Sequence, residues 1–599
     1  MGSQNYASAW RDEAALMQKK DYAALIVSFA AVLALFSIGI TDGHIGLDDW
    51  GYTSGCPFVK DGLRLSNIAR AFSDFGYGAI WMPLTFISYM VDISLFGDSW
   101  KAYHAVNVAL HLVNVFLVFV FLRRCSDEIF KAKPAVPAFL VALVSAMWAL
   151  HPMRAEAVTF VASRKEELWA MFSLSGLISY MSFLKKSPAD GVVSYAVAVV
   201  FFVLACLSKP TAMCFPFLAL SIAVMLGRLD RRVWLSLAPL FVLSACVGAL
   251  TVYSQSNPTG AAAVDVYDTS FWWRVLNAAV SSGLYVWYTF WPLNVHIDYR
   301  AVFNGWPVDG WLGLCVFAAV LCLSVAVYFR SGRDWRGRLA GVAMFVAFSI
   351  GPTLGVLGYV NGDQSIADRY AYLPHVGVGL VSVFAIGVLL ERGVGALKIA
   401  ACCIAIAVCE FVMALPVVKS YENGYTVCSR ALEKDPENWR ALRIVGNEYC
   451  ARLNRVDEGV RMLRKSLRIR PSRSTAESLA YVLAIRGETG DFAEVERLGS
   501  AVAKNPSLDE GGMMLDALGI VCMKTGRHEK AVDYFYKSLN VPKRNHSPDY
   551  ALLYLGLNLA SCGKKDEAAM FLSDACKSRI KDVASQAKSA LCEISGTGY

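Results

Sequence analysis

Residues 397–436 read LKIAACCIAIAVCEFVMALPVVKSYENGYTVCSRALEKDP, and the architecture of the chain changes within them. As far as Val417 the stretch is apolar enough to sit in lipid. After Ser420 the sequence turns charged and amphipathic, and it stays so to Tyr599. The upstream part, 1–420, therefore reads as a membrane domain, and the downstream part, 421–599, as a soluble one.

Composition asks for the same division. A chain of 599 residues is too long for a single hydrophobic core. It is 56% hydrophobic and 18% charged, with a mean hydropathy of +0.43; soluble domains hold about 45–50% apolar and about 25% charged residues. That excludes a wholly soluble enzyme and a disordered chain. The net charge of +8 is modest, and Lys and Arg gather in short clusters between apolar runs. This is the pattern of cytoplasmic loops, not of a nucleic-acid surface, so no nucleic-acid partner is expected. The sixteen cysteines are scattered, mostly inside apolar runs and without a CxxC pair. They read as small buried hydrophobes in preference to a disulfide or zinc framework.

A helical span needs about 20 apolar residues. Eleven segments qualify: 22–40, 101–122, 135–150, 166–184, 191–208, 211–226, 233–253, 311–329, 339–360, 371–390 and 397–417. The first has too long an apolar core for a cleavable signal peptide. Basic clusters at Lys19/Lys20, Arg123/Arg124, Lys185/Lys186, Arg228–Arg232, Arg330–Arg338 and Arg392/Lys398 all fall on the cytoplasmic side if two further segments, 76–96 and 274–291, lie on the outer leaflet. If those two cross as a pair, the clusters between them reverse. Eleven spans put the N-terminus inside and the C-terminal domain outside, periplasmic in a bacterium or lumenal in a eukaryote. The compact loops favour a bacterial inner membrane.

Downstream, prolines recur at Pro436, Pro471, Pro506 and Pro542, spaced 35, 35 and 36 residues. That is the period of helix–turn–helix solenoids. Small residues stand where paired helices must approach: Gly446, Gly459 and Ser466, then Gly519, Ala531 and Ser538, then Gly556, Ala568 and Ala575. The expected fold class is all-α: a polytopic helix bundle followed by an α-solenoid of about four units, resembling the tetratricopeptide repeat over 430–580. Such surfaces bind polypeptide.

Polar residues at a membrane boundary are functional candidates, because burying them without partners is costly. On the expected outer face stand Asp48-Asp49 after the first span, His151-Pro-Met-Arg-Ala-Glu156 and Ser163-Arg-Lys-Glu-Glu167 after the third, Lys209 after the fifth, and Asp368-Arg-Tyr370 after the ninth. Each also has a bland reading. The acids can be solvated loop carboxylates or helix caps, Lys209 can snorkel, and Asp368 can pair with Arg369. Together they offer what a lipid-phosphate substrate needs: Arg and Lys to clamp the anion and a carboxylate to take a proton from an acceptor hydroxyl. Phosphate leaves readily once cations neutralise it. The spans show no charged residue at mid-depth, which counts against a transporter.

These residues resemble the C-type (GT-C) polyprenyl-phosphate-sugar glycosyltransferases, and most closely the transmembrane-and-tetratricopeptide protein O-mannosyltransferases and their bacterial relatives. The order of motifs carries the resemblance: the acidic pair, Pro83-Leu-Thr-Phe-Ile-Ser-Tyr89, Tyr103-His-Ala-Val-Asn107 with His111 and Asn114, HPxxxEAV at 151–158, Leu207-Ser-Lys-Pro210, Trp291-Pro-Leu-Asn294, Asp368-Arg-Tyr-Ala-Tyr-Leu-Pro374, then the repeats. It implies Asp48, ahead of Asp49, as the base, with Glu156 positioning acceptor or sugar. It implies Arg164, Lys165, Lys209, Arg369 and Tyr370 on the donor's lipid phosphate, and His104, His151 and Asp368 in support. Partners implied are a polyprenyl-phosphate-linked sugar, an exported polypeptide held by the repeats, and the bilayer. Carboxylates are available for Mg²⁺ or Mn²⁺, relatives of this type manage without a metal, and no His/Cys ligand set appears. The chain departs from the pattern at Trp81-Met82, where bacterial relatives commonly have a basic residue, and at Arg154, where many have a second His. A membrane-anchored scaffold that has lost its chemistry is the competing expectation.

Overall fold

The computed structural model describes residues 19–595 except 42, 46, 79, 131–135, 257–269, 301–308, 357–365, 452–453, 506–508, 510, 542–547 and 579. Pro506, Pro542 and the segment 361–365 lie outside the described residues. Every element described is helical. The chain forms two compact units, 1–257 with 264–430, and 431–599 with 258–263.

In the first unit, eight helices among the described residues are long and apolar enough to cross a membrane: Tyr22–Gly39, Trp100–Ile129, Val161–Lys185, Pro188–Ser208, Arg231–Ser256, Gly310–Arg330, Pro374–Glu391 and Ala396–Ser420. The eleven expected from sequence are not reached. Ala138–Leu150 holds only 13 residues, and Pro210–Met225 is also short. Arg333–Ile350 opens with Arg333, Asp334, Arg336 and Arg338 inside the helix itself. Neither Pro83–Phe96 nor Phe271–Phe290 is among the eight.

Small residues let these helices touch. A Cβ on Gly176 would come 2.9 Å from the Phe215 ring and 3.4 Å from the Ala198 carbonyl; the helix starting at Arg164 there meets both of its successors. Trp148 donates from Nε1 to the Tyr372 carbonyl at 3.1 Å. His111 takes the Tyr372 hydroxyl on Nδ1 at 2.7 Å while its Nε2 faces the Ala149 carbonyl. These bonds tie together residues far apart in sequence.

One expectation needs correcting. Glu410 stands in the middle of Ala396–Ser420, buried, with Oε2 unbonded, so the spans do carry a charged residue type at mid-depth. A single acid among apolar neighbours leaves the mean hydropathy of this helix high, at 2.4.

The second unit is a row of helix pairs. First helices begin at Trp439, Arg473, Met513 and Asp549, and their partners at Val456, Asp491, His528 and Lys565. The expected crossings recur at glycine: a Cβ on Gly446 would lie 3.0 Å from Leu463, on Gly519 2.8 Å from the Phe535 ring, and on Gly556 2.6 Å from Leu572. Ser466 donates to the Trp439 carbonyl at 2.7 Å and Ser538 to the Gly512 carbonyl at 2.9 Å, so the second helix of two different pairs is pinned to the start of the first by the same bond. Leu483, Leu515, Phe535 and Leu555 run through one continuous core.

Candidate active site

Adjacent residues on a helix or turn point in different directions, and that separates the two acids after the first span. Asp49 begins the short helix Asp49–Tyr52 and is fully buried. Its Oδ1 accepts from the Ala162 N–H at 2.8 Å and its Oδ2 from the Ile45 N–H at 3.0 Å. Burial pushes its carboxyl up to about 7, against the pull of those two donors. Asp49 therefore fastens one loop to another. Asp48 is exposed, and no side-chain hydrogen bond or ion pair engages it among the described residues. It sits within electrostatic reach of Tyr52, Lys165 and Arg369.

The helix Arg164–Lys185 begins with four charged residues in succession, and its 3.6-residue turn sends them to different places. Arg164 is fully buried. It pairs with Asp92 at 2.5 Å, donates from Nε to Asn107 Oδ1 at 2.8 Å and from Nη2 to the Tyr103 carbonyl at 3.0 Å, and lies over the Tyr89 ring. All of its nitrogens serve to join three helices, so the structure does not bring it to the other expected phosphate ligands. Lys165 points to Asp48's side, its Nζ 3.3 Å from the Tyr52 hydroxyl and 4.4 Å from that ring's centre. It has no ion-pair partner among the described residues. Glu166 reaches Lys209 Nζ at 2.5 Å and accepts from the Trp169 indole at 2.9 Å. Glu167 is buried in the bundle with both oxygens unbonded.

Lys209 also lies over the Tyr370 ring, 4.5 Å from its centre, and burial lowers the pKa of its ammonium while Glu166 draws it back up. Arg369 pairs with Glu156, whose other oxygen accepts the Arg369 backbone N–H at 3.0 Å. Glu156 is thus committed to that arginine. Asp368 accepts from the Tyr299 hydroxyl at 3.0 Å, and burial, with Glu156 nearby, raises its carboxyl well above the usual range.

The supporting histidines are struts. His151 Nδ1 accepts from the Met153 N–H at 3.2 Å, which leaves Nε2 to donate to the Thr289 carbonyl at 3.0 Å. His104 Nε2 meets the Gly43 carbonyl at 3.2 Å, holding the loop that leads to Asp48. Gly43 itself packs on the Glu422 carbonyl, where a Cβ has no room.

The structure therefore gathers Asp48, Tyr52, Lys165, Glu166, Lys209, Glu156, Arg369 and Tyr370, and leaves Arg164, Asp49, His104 and His151 in the walls. Tyr52 and Asp92 were not anticipated. Tyr52 follows Asp48 by four residues, one helical turn, and Asp92 is the sole acid in the apolar run 83–96. Among the described residues no cluster of three His, Cys, Asp or Glu could hold a metal ion.

Comparisons with known proteins meet this geometry at the level of family names. No family model matches. The chain is 24% identical over 334 residues to the Caenorhabditis elegans protein O-mannosyl-transferase F38B6.6, covering 52% of this chain and 43% of that protein. It is 32% identical over 109 residues to mouse protein O-mannosyl-transferase TMTC1, 18% of this chain and 11% of the relative, and 28% identical over 125 residues to mouse TMTC3, 21% and 12% respectively. The chain thus spans less than half the length of these curated relatives. Among solved structures, yeast Tom70 aligns over 79% of this chain and 95% of its own at 11% identity, with a TM-score of 0.23, too low to bear on the fold. These distant relatives are named as O-mannosyl-transferases, and this chain carries helices long and apolar enough to cross a membrane.

Proposed function

We propose that the chain is a GT-C-like membrane glycosyltransferase that moves a sugar, with mannose as first candidate, from a polyprenyl-phosphate donor to Ser or Thr hydroxyls of exported polypeptides. The observation that carries this reading is the uncommitted Asp48 carboxylate within electrostatic reach of Lys165 and Arg369, with Lys209 and Arg369 both over the Tyr370 ring.

In this reading Asp48 accepts the hydroxyl proton. The acceptor oxygen forms its bond to the anomeric carbon from the face opposite the phosphate, so configuration inverts. The bond between that carbon and the phosphate oxygen breaks, and polyprenyl phosphate leaves with the electron pair, its charge met by the cations. Tyr52 and Tyr370 shape the floor beneath Lys165 and Lys209. The tetratricopeptide-like second unit presents the polypeptide, and the site faces the periplasm or lumen, with the N-terminus cytoplasmic. A scaffold without chemistry is the reading this replaces.

The test incubates membranes holding wild type, Asp48→Asn or Lys165→Met with labelled polyprenyl-phosphate mannose and an exported-protein extract, with and without EDTA. Sugar on Ser or Thr in wild type alone supports the assignment, and the EDTA arm reads metal dependence. No transfer from this donor or from a panel of other lipid-linked sugars would return the chain to the scaffold reading.

A further inference from the structure

Three cations converge on the candidate site with almost no exposure to water. Lys209 is 8% exposed, Arg369 11% and Lys165 6%. Such a group cannot stand empty: like charges repel, and each buried charge without a partner is strongly unfavourable. The fold answers with acids of its own. Glu156 holds Arg369 and Glu166 holds Lys209, each acid 1% exposed, while Lys165 has no ion-pair partner among the described residues.

The two pairs are not equally fixed. Glu156 grips Arg369 twice, through the guanidinium and through the backbone N–H. Glu166 touches Lys209 through Oε1 alone, at 2.5 Å, and its Oε2 is anchored to the Trp169 indole at 2.9 Å. Lys209 carries its ammonium on a four-carbon stem beside the Tyr370 ring, whereas both oxygens of Glu166 are held.

We propose that Glu166 is a resident counter-anion that a lipid phosphate must displace from Lys209, and that it thereby sets how tightly the site holds its phosphate. This rests on the phosphate-binding reading of Lys165, Lys209 and Arg369. An arriving phosphate approaches Lys165 first and then competes with Glu166 for Lys209. When the phosphate departs, Glu166 recaptures the ammonium, so the leaving polyprenyl phosphate is not trapped in a wholly cationic pocket. Glu166 is a positioning residue that acts through Lys209.

The experiment measures binding of geranyl phosphate to the full-length protein in detergent, for wild type, E166Q, K209M and the double variant. Gln keeps the shape and an oxygen for the Trp169 indole while removing the charge. E166Q is expected to bind about fivefold tighter or more, the lower end of ordinary coupling between linked sites. Damage to the fold does not produce tighter binding. In the K209M background E166Q is expected to tighten binding clearly less than in wild type, because most of its effect runs through Lys209. Unchanged or weaker binding by E166Q overturns the proposal, as does equal tightening in the K209M background, which would make Glu166 a through-space charge only. Failure of wild type to bind geranyl phosphate would instead overturn the phosphate reading of the site. If E166Q is not recovered folded, a map of wild type with geranyl phosphate bound decides: Lys209 on a phosphate oxygen supports displacement, and an intact Lys209–Glu166 pair refutes it.

Discussion

Asp48→Asn and Asp49→Asn should separate chemistry from construction, although the residues are neighbours. Asp48 is exposed and its side chain makes no bond among the described residues, so its amide variant should unfold within about 0.5 kcal/mol of wild type. In the proposed reading the same change removes the general base, which is worth about 100- to 10,000-fold in rate. Asp49 inverts both expectations. Each of its oxygens accepts a backbone N–H, from Ala162 at 2.8 Å and Ile45 at 3.0 Å. An amide has one acceptor, so one N–H would face an NH₂ donor in a buried place, at a cost of about 1–3 kcal/mol. Thermal unfolding of the full chain in detergent reads the stabilities, and transfer of labelled mannose at a temperature where both variants are folded reads the rates. A thermally neutral Asp49→Asn with no activity, beside an Asp48→Asn that transfers at the wild-type rate, would refute the assignment and exchange the two roles.

The pH dependence of Asp49 has a definite sign. Its folded carboxyl sits at about 7, above the roughly 3.9 of an unfolded chain, so its contribution is fully present below about pH 4 and is lost as pH rises through 7; the stability gap between wild type and Asp49→Asn, followed by thermal melts from pH 4.5 to 7.5, should shift in disfavour of wild type across that window. Asp92→Ala should cost about 3–5 kcal/mol by leaving Arg164 buried and unpaired, and Asp92→Ala/Arg164→Met should recover part of it in the same melts. Gly519→Val should destabilise the second unit by about 1–3 kcal/mol, because even its Cβ lies 2.8 Å from the Phe535 ring; hydrogen exchange over 513–539 should quicken, and protection at normal rates there would contradict the tight crossing.

The all-helical class was legible because it is written in averages. The change after Ser420 and the near-regular prolines both survive without knowing a single contact. The site was legible only as a set of neighbourhoods. Arg164 and Lys165 are adjacent cations in one loop, and nothing local says that the first will pair with Asp92 while the second faces Asp48. That outcome depends on helix phase and on an acid 72 residues upstream in sequence, which is tertiary information. Glu156 was expected beside the other outer-face charges, and its commitment to Arg369 joins segments 213 residues apart. The choice of Asp48 over Asp49 came from resemblance; the geometry supplies a physical ground for it in the two N–H groups that Asp49 alone receives.

Glu410 bears on how the chain is made. On translocon scales a mid-span acid such as Asp disfavours membrane entry by about 2.5–3.5 kcal/mol, and the charge that Glu410 senses belongs to Arg154, more than 250 residues earlier. The helix Ala396–Ser420 packs on Ala138–Leu150 and also on Lys19–Phe36, so helices far upstream in the sequence are its docking platform. Integration of the last span is thus expected to wait for helices synthesised long before it. Arg369 and Tyr370 arrive only one span ahead of it. A nascent chain already displays Asp48, Lys165 and Lys209 while Glu156 still lacks its arginine, so the biosynthetic timetable keeps the pocket incomplete until translation has nearly cleared the membrane part.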